Sequence, residues 1–81
     1  MKDRIRKLIA DRKVIAVDVN SLSDSSDLYE AGLSSFASIQ FMLALEDAFD
    51  VEFPERMLTR KTFASIEAID RSLSELLTER V

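Results

Sequence analysis

"DLYEAGLSSFASIQFMLALEDAF", residues 27–49, decides how this chain folds. Its opening carries turn formers and the chain's one glycine, and from Ser35 onward it turns strongly apolar. Phe36, Ile39, Met42, Leu43, Leu45 and Phe49 contain a 3.6-residue period, and Phe41, Ala44 and Ala48 widen the apolar arc. The pattern predicts a helix over 35–49 that is buried on several sides or serves as a docking surface. Ser34, just ahead of it, is an N-cap candidate, because a serine oxygen there can take an otherwise unpaired N–H of the first turn.

Working outward, residues 2–15 read as a first helix with Ile5, Leu8, Ile9 and Arg12 on one face and the other basic residues on a solvated one. "VIAVDV" has no second strand to pair with, so it reads as the end of that helix and the start of a loop. "NSLSDSSDLYEAGLS", residues 20–34, is a Ser/Asp-rich loop pinned by Leu22, Leu28 and Leu33. Loops of this length in small domains are commonly functional. Pro54 and Glu55 suit the start of a short helix over 55–60. Thr62 then caps a last helix over 63–78, with Phe63, Ile66, Ile69, Leu73, Leu76 and Leu77 as its inner stripe and Glu67–Arg71 as an outer i,i+4 pair. The expected fold is all-α: one domain over residues 1–81, a small four-helix bundle of three longer helices and one short one, with a long loop between the first two. Its core should hold Ile5, Leu8, Ile9, Leu28, Ile39, Met42, Leu45, Phe49, Phe63, Ile66, Ile69 and Leu73.

Composition narrows the function. The chain has no histidine and no cysteine, which removes the commonest general base, thiolate ligands and any Ser-His or Cys-His pair. No catalytic set and no metal site is expected. The apolar runs "VIAV" and "FMLAL" are far too short to span a bilayer, and the charged N-terminus lacks the apolar stretch of a secretory signal. A cytoplasmic monomer is the expectation. Net charge is −4, divided unevenly: residues 1–13 hold six bases and two acids, and from Val14 to Glu55 nine acids stand without a single Lys or Arg. Such a block repels phosphate backbones and argues against nucleic acid; it favours basic protein partners or simply serves solubility.

The paired serines carry the remaining chemistry. A serine hydroxyl needs a base to act as a nucleophile, and none is evident nearby. A serine at a helix start, however, lies where backbone N–H groups favour anions. Ser34 or Ser35 therefore makes better sense as the acceptor of a phosphate-linked group than as a catalyst. A plain N-cap is the structural alternative.

The stretch from Asp27 to Pro54 resembles the carrier proteins of fatty acid, polyketide and nonribosomal peptide synthesis. That family shows an acidic-Leu pair, a small residue, Asp-Ser-Leu/Met, a helix ending much like "ALEDAF", and a hydrophobic-Pro pair. Aligning on "ALEDAF" puts the family's modified serine on Ser35, with Phe36 in the place of Leu/Met, Asp27-Leu28 as the upstream pair and Phe53-Pro54 at the end. "FASIEAI" resembles the opening of the family's last helix. Ser34 stands where the family usually has Asp, and the two are near-equal caps.

The resemblance implies a non-catalytic carrier with 4'-phosphopantetheine on Ser35, installed from coenzyme A by a phosphopantetheinyl transferase. The arm's thiol would hold an acyl or aminoacyl cargo as a thioester. Loading ligases and acceptor enzymes would be the other partners. These partners should meet the surface formed by Ser34, Phe36, Gln40, Leu43, Ala44, Glu46 and Asp47. Residues 35–45 hold no acid, and Gln40 stands where the family often has Glu. Gln40 and "RKTF" (residues 60–63) look more like the stand-alone carriers of amino acids, such as D-alanine carriers and those served by amino acid:carrier protein ligases. The lean is therefore toward a small or aminoacyl cargo. The alternatives are a fatty-acyl or polyketide carrier and, in another class, an unmodified helical adaptor that binds a partner helix.

Overall fold

A computed structural model describes residues 1–79 of the chain; residues 80 and 81, the end of the expected domain, lie outside the described residues. Three α-helices carry the fold: α1 (Lys2–Arg12), α2 (Ser35–Phe49) and α3 (Ile66–Glu79). Single 3-10 turns, Val19–Ser21 and Glu55–Met57, punctuate the two connections. Among the described residues there is no strand. α1 packs against both α2 and α3.

α1 stops earlier than the expected 2–15. Lys13 turns left-handed at φ 52°, and the Val14 N–H reaches back to the Ile9 carbonyl at 3.4 Å. That reversal drives Val14 into the core, and Val19 follows it at the next turn. The loop before α2 is anchored as expected. Leu28 and Leu33 are buried and Leu22 packs, partly buried, against the core they join. Gly32, at φ 111°, lies where a Cβ would come within 3.0 Å of the Ala16 backbone nitrogen, so the close approach of the two loop segments requires glycine.

The expected short helix over 55–60 is one 3-10 turn rather than a fourth helix. Leu58 leaves helical geometry at ψ 62°, and the following residues bond locally instead. The Thr62 N–H goes to the Thr59 carbonyl at 3.2 Å, and the two threonine hydroxyls meet at 3.2 Å. Thr62, being occupied there, does not cap the last helix. Ser65 does: its Oγ accepts the Ala68 N–H at 3.1 Å, so α3 begins at Ile66 and not at residue 63. The Asp24 carbonyl accepts a second N–H of that first turn, from Glu67 at 2.9 Å. The expected Glu67–Arg71 pair is present at 3.4 Å.

The core joins Ile5 and Ile9 of α1, Phe41, Leu45 and Phe49 of α2, and Ile66, Ile69, Leu73 and Leu76 of α3. Leu28, Phe53 and Phe63 close it from the connections, with Phe53 and Phe63 edge-to-face at 5.3 Å. Of the residues expected inside, Leu8 and Met42 are partly buried against this cluster. Ile39 is not inside: it is 57% exposed, and Phe41 is fully buried instead. The two residues are roughly 200° apart on a helix of 3.6 residues per turn. A helix apolar through most of its circumference offers two faces of similar hydrophobicity, and the shared core takes the one through Phe41.

Candidate functional site at the start of the second helix

The residues ahead of α2 are folded into a rigid launching turn. The Asp27 carboxylate accepts the Tyr29 N–H at 2.9 Å and the Glu30 N–H at 3.4 Å. The Leu33 N–H returns to the Leu28 carbonyl at 3.0 Å, and Leu28, wholly buried, fixes the turn to the core. The Leu28 N–H also donates to the Ala64 carbonyl at 2.7 Å, which joins this turn to the segment before α3.

Ser34 then caps α2. Its Oγ accepts the Ala37 N–H at 3.0 Å, with Ser34 itself in an extended conformation. Ser35 is the first helical residue and is exposed. Its hydroxyl makes no hydrogen bond with the described residues, while its carbonyl accepts from the Ser38 Oγ at 2.7 Å. The two adjacent serines thus divide their work: one hydroxyl is consumed by the cap, the other is presented outward at the positive end of the helix.

Ser35 opens onto a groove of about 340 Å³ between α2 and the segment 58–63, lined also by Tyr29, Ser38, Ile39, Met42, Leu58, Thr59, Arg60 and Phe63. Its upper rim is apolar and exposed, with Ile39 and Leu58 both near half exposure. The Arg60 guanidinium lies 4.1 Å over the Tyr29 ring at its wall. Only the "RKTF" resemblance pointed to this region. The contact of Tyr29 with Arg60 joins residues far apart in sequence, and no periodicity could have signalled it.

The other expected surface residues spread along α2. Phe36 is 72% exposed and Leu43 54%. Gln40, Leu43, Ala44 and Asp47 border a second, more polar groove against Asp11, Arg12 and Val14 of the α1 end. Ala44, which is buried, also lines that groove. Glu46, expected on the docking surface, is partly buried. Its Oε2 accepts the Phe53 N–H at 2.8 Å and holds the chain as it leaves α2.

An outward-facing serine at a helix start, with a capping residue before it and an open groove beside it, suits attachment of a phosphate-linked arm. Comparison with known proteins agrees with that class. Residues 3–69 match the family described as "Phosphopantetheine attachment site", and the chain belongs to this family of carrier proteins. Among individual relatives, it is 48% identical to the aminoacyl carrier protein of Agrobacterium fabrum over 95% of this chain and 93% of that one. It resembles the carrier protein from Agrobacterium tumefaciens solved with an engineered glycine:carrier protein ligase of Bradyrhizobium japonicum and ATP. The TM-score is 0.86 at 47% identity, covering 91% of this chain and 96% of that one. A glycylated carrier protein solved with the Bradyrhizobium japonicum glycine:carrier protein ligase is similar at a TM-score of 0.69 and 30% identity, covering 88% and 96%. No helix among the described residues is long and apolar enough to cross a membrane.

Proposed function

We propose that this chain is an aminoacyl carrier whose Ser35 bears 4'-phosphopantetheine. The observation that carries the reading is the division of labour between the serines: Ser34 Oγ is committed to the Ala37 N–H, and Ser35 Oγ stands exposed one residue later. When attached, the arm supplies a thiol on which an aminoacyl group is held as a thioester. In attachment, a bond from the Ser35 oxygen to phosphorus would replace the pyrophosphate P–O bond of coenzyme A, releasing adenosine 3',5'-bisphosphate and the hydroxyl proton. The α2 start, rich in outward N–H groups, favours the resulting anion. The names of the relatives support a small, amino acid cargo such as glycine over a fatty chain. They equally support a ligase as the loading partner. The chain itself is non-catalytic in this reading. It acts as a monomer in the cytoplasm, where coenzyme A and the transferase meet it.

The docking surface proposed for the transferase and ligase centres on Phe36, Gln40, Leu43 and Asp47. Ser34, Ala44 and Glu46 shape that surface from beneath, by the cap, the groove lining and the Phe53 bond. The test is modification with coenzyme A and a broad-specificity transferase, followed by intact-mass measurement and peptide mapping. The arm's mass should appear on wild type and on Ser34→Ala, and be lost in Ser35→Ala with its helical spectrum unchanged. Ser34→Ala should lower stability by about 1 kcal/mol through loss of the cap. Mapping of the arm to Ser34 would show the assignment to be off by one residue. A chain that takes up no arm would instead be an adaptor.

A further inference from the structure

The groove beside Ser35 carries a charge that the bundle leaves unanswered. Arg60 is the sole charged residue among those lining it, and no carboxylate among the described residues pairs with its guanidinium. Its position is set in advance. The guanidinium carbon lies over the Tyr29 ring, 4.1 Å from its centroid. The backbone beneath is fixed by the Thr59–Thr62 turn, and the bond from Leu28 N–H to the Ala64 carbonyl ties the turn that carries Tyr29 to the segment that carries Arg60. A cation already held against an aromatic ring loses little freedom when it meets an anion, so pairing with it costs less than pairing with a free side chain.

We propose that Arg60, held by Tyr29, is a positioning residue for the phosphodiester on Ser35, and that the groove running to Met42 and Phe63 receives the first part of the arm. This rests on the reading of Ser35 as the attachment site. Three observations converge on it. Ser35 and Arg60 border one groove. The charge complements a phosphodiester. The lining beyond, with Ser38 and Thr59 hydroxyls set among Ile39, Met42, Leu58 and Phe63, suits a chain of amides and methyl groups. From Ser35 to Met42 the groove follows α2 for about 10 Å at 1.5 Å per residue. That is shorter than the extended arm, so the thiol and its cargo stay outside. An α-ammonium near the thiol is also kept out, because Arg60 repels it and the apolar floor offers it no partner. The groove thereby sorts the two ends of the same appendage: it takes the anionic, amide-bearing end and leaves the cationic end free for the partner enzyme.

The test compares amide spectra of the apo and holo forms of wild type, Arg60→Gln and Lys61→Gln, each holo form first checked for the arm on Ser35 by mass. Wild type and Lys61→Gln should show apo-to-holo shifts at Ser38, Ile39, Met42 and Phe63, together with a phosphorus resonance that moves as salt is raised. In Arg60→Gln those groove shifts should be lost, with the apo spectrum otherwise unchanged. Arg60→Lys should keep part of them, since the charge remains and the forked guanidinium donors do not. Wild-type shifts confined to Ser34–Phe36, or groove shifts undiminished in Arg60→Gln, overturn the assignment while leaving Ser35 as the attachment site. Absence of the arm's mass on Ser35 removes both.

Discussion

The Asp24 carboxylate answers two cations of α1 at once, Arg6 at 2.7 Å and Lys2 at 3.6 Å, and makes part of the bundle's stability titratable. The Arg6 hydrogen bond, with smaller help from the charge of Lys2, outweighs desolvation and holds the carboxyl below its ordinary value. A carboxylate depressed in the folded state stabilises above its unfolded pKa, and that contribution is lost as pH falls through the folded one. The loss therefore begins near the ordinary aspartate value of about 4 and is complete below the folded one. Asp24→Asn should lower the melting temperature at pH 7, and thermal scans down to pH 3 should show a smaller acid-induced drop than in wild type. An undiminished drop would assign the acid sensitivity elsewhere. The sequence hid this contact, because Arg6 reads as one of several bases on a solvated face. Partners eighteen residues apart across an irregular loop leave no periodic trace. Ser34 as cap was legible for the opposite reason: its partner lies three residues away, and local chemistry alone specifies it.

α2 shows what hydrophobic pattern can and cannot decide. Its limits, Ser35 and Phe49, match the sequence expectation because the cap, the apolar run and Asp50 all act locally. Its rotation does not follow from pattern, since Ile39 and Phe41 are both strongly apolar, yet Phe41 joins the core and Ile39 stays at the groove. The outward row of Phe36 and Leu43 then presents apolar surface with Asp47 as the acid beside it. Docking on such a row should be weakly screened by salt. Phe36→Ala should slow transferase and ligase reactions severely, Asp47→Lys only mildly, and loading should change little as ionic strength rises. A steep salt dependence abolished by Asp47→Lys would instead make docking electrostatic. Glu46→Lys is unsuitable for this comparison. It removes the acceptor of the Phe53 N–H and should destabilise the exit of α2 by about 1–3 kcal/mol.

At the scale of the molecule, the interior is occupied. Leu45, Ile66 and Ile69 are fully buried, and Phe41, Phe49, Phe53 and Phe63 fill the space around them. A long acyl chain would gain about 0.8 kcal/mol per methylene buried, yet a densely packed core admits extra volume only at a cost of roughly 1–3 kcal/mol or more. An aminoacyl group gains nothing there. Amide shifts at Leu45, Ile66 and Ile69 should therefore stay small in both glycyl and octanoyl forms of the holo protein. Large shifts with octanoyl, together with a raised melting temperature, would show that the bundle opens for chains. The all-α class and the pinned loop were readable from leucine and isoleucine spacing. That one 3-10 turn would stand in place of the expected fourth helix over 55–60 was not, because Thr59 and Thr62 withdraw the backbone into a local turn that hydrophobic spacing does not register. The same connections bear on how the molecule comes apart. The Leu28 N–H donates to the Ala64 carbonyl and the Glu67 N–H to that of Asp24, so an irregular loop shares backbone bonds with the approach to α3 and its first turn. Loop and helix start then form one cooperative opening unit. In hydrogen–deuterium exchange, Leu28, though outside any helix, should exchange in step with Glu67, whereas the exposed Ser25 amide should exchange freely. The residue that places Ser35 would then keep its position until the bundle itself begins to melt.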